Sequence, residues 1–233
     1  MTFRKLTYFL FVATLLASCS AAQQQLVAEP VVKKNTDTEL SEDQQNEFEY
    51  LFIEGLKQKK LGNIQQAVSI FSRCLEIDPN SSVAMYEMAS IHYANKDLTS
   101  ASLLLEKAIS INSENKWYKL MLAEIYRQRQ QYQEAAAIYT QLSNDEPDNL
   151  EYLYYKANLL SMAEQYEAAI DAYDRLEQKT GLNEQISVAK QQIYLAWDKP
   201  GKAFDEINRL IDSNPEETQY YGLLAELYQQ VGD

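Results

Sequence analysis

A chain of 233 residues with a formal net charge of −13, six glycines and five prolines can bury a sizeable core but is poor in turn formers for a strand-rich fold. Ala, Leu, Glu, Gln, Lys and Tyr recur throughout, a balance that predicts an all-α protein. No basic stripe rises above the acidic field, which argues against nucleic acid or bare anionic lipid as a partner. A single histidine, His92, and two cysteines, Cys19 and Cys74, do not suffice for a histidine metal centre or Ser-His-Asp chemistry. With no GxGxxG, P-loop or CxxC either, the sequence points to no cofactor and to no enzyme.

The chain opens with Arg4 and Lys5, an apolar run from Leu6 to Ala17, and a small residue before Cys19. Crossing a bilayer takes about 20 apolar residues, so this run has the length of a signal-peptide core instead. Leu16-Ala17-Ser18-Cys19 resembles the bacterial lipobox, in which cleavage precedes the cysteine and its sulfur is lipidated. The resemblance implies a signal peptide over 1–18 and acyl chains at Cys19, which together anchor a protein stably where one chain would not. Ser20 rather than Asp, with no acidic run after the cysteine, leans the expected location to the outer membrane, facing the periplasm. Residues 19–41 lack helical periodicity and read as a flexible tether spanning about 25 Å. Ser41-Glu42-Asp43-Gln44 matches a capping box, so the first helix is expected to start there.

From this point the chain repeats itself every 34 residues. Ala67, Ala101, Ala135, Ala169 and Ala203 are in register, as are Gly55, Ala89, Ala123, Ala157 and Ala225, with Gln191 the exception. A bulky residue follows each of the first series by four places: Phe71, Leu105, Tyr139, Tyr173 and Ile207. Helix stops follow by twelve at Pro79, Pro147 and Pro215, with Gly181 serving instead in one repeat, while Ser113 stands where a proline is expected with no evident substitute. Small residues facing bulky ones in this register predict two closely packed antiparallel helices per repeat. Gly62 is expected to end the first helix in a left-handed cap, and Asp198 and Pro200 to serve as N-cap and first-turn residue of a later one. Lys156, Lys190 and Gln191 stand at positions where the pattern asks for apolar or small residues, which predicts looser packing there. Cys74 reads as a small buried hydrophobe.

Period, alanine, aromatic and proline together resemble the tetratricopeptide repeat. The resemblance implies a right-handed superhelical solenoid over 42–233. Its repeats fall at about 48–81, 82–115, 116–149, 150–183 and 184–217, with the first helix of a sixth at 218–233. It also implies a concave face lined by the first helices, where partner peptides meet their second, fifth, ninth, twelfth and thirteenth positions. On that face stand Phe52, Tyr86, Trp117 and Tyr154, an aromatic strip of the kind that builds binding hot spots. Leu120 stands beside them, and Glu124, Arg127 and Asn158 are placed to orient a bound segment. Phe52 and Leu56 occupy the places where the family's carboxylate clamp carries Lys and Asn, so an apolar or aromatic segment is the expected ligand.

The functional expectation is a membrane-anchored adaptor for an envelope assembly or secretion complex. The alternative is the recruiting arm of a larger enzyme whose catalytic domain lies beyond residue 233. The sixth first helix, without a partner, predicts either a longer natural chain or self-association through the face around Leu224 and Tyr228.

Overall fold

The computed structural model describes residues 39–232. Cys19, the leader and most of the tether lie outside the described residues. Among the latter there are eleven α-helices and no strand: α1 (Glu42–Lys60), α2 (Ile64–Ile77), α3 (Ser82–Ala94), α4 (Leu98–Ile111), α5 (Lys116–Gln128), α6 (Tyr132–Asp145), α7 (Leu150–Met162), α8 (Tyr166–Thr180), α9 (Glu184–Ala196), α10 (Pro200–Ser213) and α11 (Thr218–Val231). The odd-numbered helices from α3 and the even-numbered ones from α2 each begin 34 residues apart. Each helix packs on its neighbours in the chain, so the molecule is a stack of hairpins held by nearest-neighbour interfaces.

Local chemistry sets the boundaries. Ser41 Oγ accepts from Gln44 N at 3.3 Å and Gln44 Oε1 accepts from Ser41 N at 3.0 Å, so the capping box opens α1. Pro79, Pro147 and Pro215 each lie two residues past a helix end, and Gly181 closes α8 at φ +80°. Both alanine series face inward, except for Ala225 of α11, which is exposed. Ala67, Ala101, Ala135, Ala169 and Ala203 are fully buried, and Ala89, Ala123 and Ala157 are at most 1% exposed. Cys74 is a free, fully buried thiol, and burial pushes its pKa up, which keeps it inert.

Between first and second helices the chain turns through one left-handed residue. Gly62, Lys96, Gln130, Glu164, Asp198 and Gly232, each 34 residues from the next, all have φ between 56° and 84°. Only two of the six are glycines. The periodic turn therefore imposes this conformation on side chains that disfavour it. This corrects the expectation for Asp198: it occupies the left-handed site, Lys199 sits at the N-cap, and Pro200 is the first residue of α10. Gln130→Gly should relieve the strain and stabilise the fold by about 0.5–1 kcal/mol, or about 1–4 °C in Tm. Gly62→Ala should do the reverse, since space is open around Gly62 and only φ opposes a side chain. Thermal unfolding followed by circular dichroism checks both, and a lower Tm for Gln130→Gly would refute the strain.

The eleventh position of the first helix is Gln58 in the first repeat and His92 in the second, and both are tied into the turn that follows. Asn63 Nδ2 donates to Gln58 Oε1 at 2.6 Å, and His92 Nδ1 lies 2.9 Å from Asp97 Oδ2. In both, the side chain reaches five residues on and ties the end of a first helix to the start of the second. His92 is thus part of a turn.

Lys190 does not loosen the fifth repeat as a misplaced polar residue would. It is 3% exposed, and its ammonium lies 2.7 Å from Asp174, 2.8 Å from Glu206 and 3.1 Å from Glu177. Arg209 closes the cluster on Glu177 and Glu206 at 2.6 and 2.9 Å. An ionic network here joins α8, α9 and α10.

Candidate functional site

The first helices carry the candidate binding residues, and the structure separates them into three groups. Phe52 and Tyr86 are partly buried and turned into the stack. Phe52 lies 5.8 Å from the buried Phe71 ring and stacks on Phe48, while Tyr86 meets Tyr118 at 5.0 Å. Leu120 packs against the same core as Tyr86. Tyr154 is also partly buried, edge-on to Tyr173 at 6.1 Å, with its hydroxyl accepting from Gln185 at 3.1 Å. Of the four aromatics in the strip, Trp117 alone is exposed, at 61%. The strip is therefore three packing rings and one exposed ring: the fifth-position rings Phe52, Tyr86 and Tyr154 pack within their own hairpin or on the next, whereas Trp117, at the second position, does not.

Glu124, Arg127 and Asn158 form the third group, and they come together. They line a cavity of about 410 Å³ between α5, α6 and α7, with Ala123 and Leu159 deep in it and Tyr139, Tyr155 and Met162 on its walls. The Arg127 guanidinium grips Glu124 in a fork, Nε to Oε2 and Nη2 to Oε1, both at 2.7 Å. Gln128 Nε2 adds a bond to Glu124 Oε1 at 2.8 Å and another to Tyr93 of α3 at 2.7 Å. The Arg127 contact, reinforced by Gln128 and opposed by partial burial, holds the Glu124 carboxyl below the usual range. Glu124 is thus a fixed anion, and the Nη1 donors of Arg127 stay outside the fork.

Asn158 is oriented from both sides. Tyr173 Oη donates to its Oδ1 at 2.8 Å, and its Nδ2 donates to the Tyr154 carbonyl at 3.0 Å. Tyr139 stacks on Tyr155 with centroids 5.2 Å apart. Burial raises the Tyr139 phenol to about 12, so it remains a neutral group at physiological pH. The result is an aromatic and thioether wall with a preset charged and amide rim, suited to an apolar side chain on an extended segment.

The position of the cavity follows from the bonds that close the other junctions. Lys59 pairs with Glu87 between α1 and α3, Gln128 with Tyr93 between α3 and α5, Gln185 with Tyr154 between α7 and α9, and Gln219 with Glu184 between α9 and α11. Among the described residues no such bond crosses from α5 to α7, and the cavity opens there. Tyr155 and Tyr139 are the site residues that sequence reasoning missed. Tyr139 belongs to the bulky core series and gave no distinguishing signal, whereas the pair Tyr154-Tyr155 could have been read as one ring packing and the next facing out.

A stack of 34-residue helical hairpins with a cavity on its first-helix face has the fold of a tetratricopeptide-repeat solenoid; proteins built on such repeats are in general interaction scaffolds. The family described as tetratricopeptide repeat matches residues 60–108 and 92–159, so the chain carries these repeats. Anaphase-promoting complex subunit 3 of Schizosaccharomyces pombe is 24% identical over 171 residues, 71% of this chain. The chain spans only 25% of that relative's length. Among solved structures, YrrB, described as a repeat protein of this class with an unusual peptide-binding site, superposes with a TM-score of 0.57 at 14% identity, covering 75% of this chain and 90% of that one. A tetratricopeptide repeat protein from Parabacteroides merdae gives 0.58 at 17% identity over 80% and 74%. At these identities the likeness is one of fold.

Proposed function

We propose that this chain is a membrane-anchored interaction scaffold of the bacterial envelope, lipidated at Cys19 and holding an extended segment of a partner protein in the α5–α7 cavity. The observation that carries the reading is the convergence of Glu124, Arg127 and Asn158 on one cavity walled by Tyr139, Tyr155 and Met162. An apolar or aromatic side chain of the partner enters between Tyr155 and Met162, and Arg127 Nη1 and the Asn158 amide hold its main chain. The lipobox at Leu16-Ala17-Ser18-Cys19 supports the anchor, and an outer-membrane position facing the periplasm is part of the same proposal. Trp117, exposed on the same helix as Glu124 and Arg127, offers a further aromatic contact near the start of α5.

A photo-crosslinking residue at Met162, with a control at Leu103, which is 62% exposed on the second helix α4, tests the site in intact envelopes. A partner captured from Met162 and not from Leu103 supports it, and equal capture from both would sink it. With that partner in hand, Tyr155→Ala should weaken binding by about 2 kcal/mol, roughly thirtyfold, with Tm nearly unchanged. Tyr154→Ala, one residue away, should lower Tm instead, because its ring packs on Tyr173. For the anchor, mass spectrometry of the mature N-terminal peptide should show cleavage after Ser18 and an acylated cysteine, and an unmodified Cys19 would refute that half of the proposal.

A further inference from the structure

The hydrogen-bonding capacity left in the α5–α7 cavity is lopsided. Of its acceptors, Glu124 Oε1 already takes bonds from Arg127 Nη2 and Gln128 Nε2, and Glu124 Oε2 takes one from Arg127 Nε. Asn158 Oδ1 is occupied by the Tyr173 hydroxyl. Ala123, Tyr139 and Leu159 lie within helices, so their main-chain carbonyls are held by the helical ladder. The free donors are the Nη1 group of Arg127 and the second N–H of Asn158 Nδ2, whose first goes to the Tyr154 carbonyl. The Tyr139 and Tyr155 hydroxyls work in either sense. The charged and amide groups of the cavity thus offer donors, while their acceptors are committed.

An ordinary extended segment brings main-chain N–H groups as well as carbonyls. An N–H buried against such walls loses its water without gaining a partner. Proline has no N–H to lose. Its carbonyl suits the Arg127 and Asn158 donors, and its ring is a compact apolar body for Met162 and for the Tyr139–Tyr155 stack, whose planes lie 28° apart. A proline-rich run also arrives as a polyproline II helix, already extended and with little conformational entropy left to lose. The spacing agrees. Trp117 and Glu124 are seven residues apart on α5 and so share one face of it, about 10 Å apart along the axis. One turn of polyproline II advances about 9 Å, which brings a second ring to the exposed Trp117 when the first is at Tyr155.

We propose that the segment taken by the α5–α7 cavity is proline-rich and binds as a polyproline II helix along α5, an inference that rests on the reading of that cavity as the partner site. One proline ring sits between Tyr155 and Met162, the carbonyls beside it accept from Arg127 Nη1 and Asn158 Nδ2, and a ring one turn away packs on Trp117. The Arg127–Glu124 fork has two effects. It presents Nη1, and it keeps the carboxylate from serving the N–H groups of other segments.

Isothermal titration calorimetry of the full chain in detergent tests this with two capped peptides, one with seven prolines between two lysines and one with seven alanines in their place. The proline peptide should bind at least about tenfold tighter than the alanine peptide. Tyr155→Ala should weaken the proline peptide by about tenfold or more, and Trp117→Ala by about three- to tenfold. Arg127→Met removes the donor and frees Glu124, so it should shrink the preference for proline to about threefold or less. All three positions are exposed, and circular dichroism checks that each variant keeps its helices. The inference is overturned if the alanine peptide binds as tightly, if the proline peptide gives no saturable heat, if Tyr155→Ala leaves its affinity unchanged, or if Arg127→Met keeps the full preference. Capture from Met162 with no preference for proline refutes this inference alone, whereas equal capture from Met162 and Leu103 refutes the site itself.

Discussion

Lys190→Met is expected to destabilise the stack by about 3–5 kcal/mol, because it strands buried carboxylates without their cation. The wild-type cluster holds two cations against three carboxylates, and Glu206 and Glu177 are only 7% and 11% exposed at their side chains. The loss should begin at the α9–α11 end, where hydrogen exchange would rise first. Adding Glu206→Met should recover most of the stability, since Glu177 then keeps Arg209 and one uncompensated charge is gone. Continued instability of the double variant would show that packing, and not charge, sets the cost.

The pH dependence gives an independent check with a definite sign. Burial alone would raise the Glu177 carboxyl, but Arg209 and Lys190 outweigh it and hold the group below its ordinary value. A depressed carboxylate contributes stability that is present above about pH 4.3 and lost as pH falls through the folded value. For Lys190, burial opposes the charge, but Asp174, Glu206 and Glu177 reverse this and raise the ammonium well above its usual range. Its contribution is therefore complete below about pH 10.4 and lost above that. Between these limits the network should be insensitive to pH. The penalty of Lys190→Met should be largest near pH 7 and shrink below pH 4, where protonation neutralises the stranded carboxylates.

Phe71→Ala is expected to cost about 3–5 kcal/mol in the first repeat. The ring is fully buried, in a cluster with Ala67 and Ile91 and against Phe52, Val68 and Met88. It also explains why Gly55 stands where most later repeats have alanine: a Cβ there would lie 2.7 Å from Phe71 Cε1. Gly55→Ala alone should cost about 1–3 kcal/mol by overpacking, offset in part by the better helix propensity of alanine. Combined with Phe71→Leu, which makes room, it should cost less than the sum of the two single changes, and a double-mutant cycle measures the difference. Strict additivity would mean that the ring moves aside freely and that the contact does not constrain the glycine.

Sequence alone determined the parts of this protein that depend on local periodicity. The 34-residue register of alanines and bulky residues placed every hairpin, since a small residue facing a large one is what lets two helices approach, and one shift of register would put charge in that gap. Capping at Ser41 and the stops at Pro79, Pro147 and Pro215 were legible because each acts within four residues of itself. Tertiary structure decided what the repeats do to one another. Lys190 looks misplaced in the pattern because its three carboxylates come from two other helices, up to sixteen residues away, and spacing along one helix cannot reveal them. The left-handed turn at Lys96, Gln130, Glu164 and Asp198 is invisible in composition, since none is glycine and the closing of each hairpin imposes the conformation. The same holds for the cavity. Phe52, Tyr86 and Tyr154 all stand at the fifth position of a first helix, where Phe71 and Tyr173 of their own hairpins cover Phe52 and Tyr154 and Tyr118 of the next hairpin meets Tyr86, while Tyr155 is left open where α5 and α7 are not bridged. Burial is a property of the neighbour as much as of the residue, and only the packed stack specifies the neighbour.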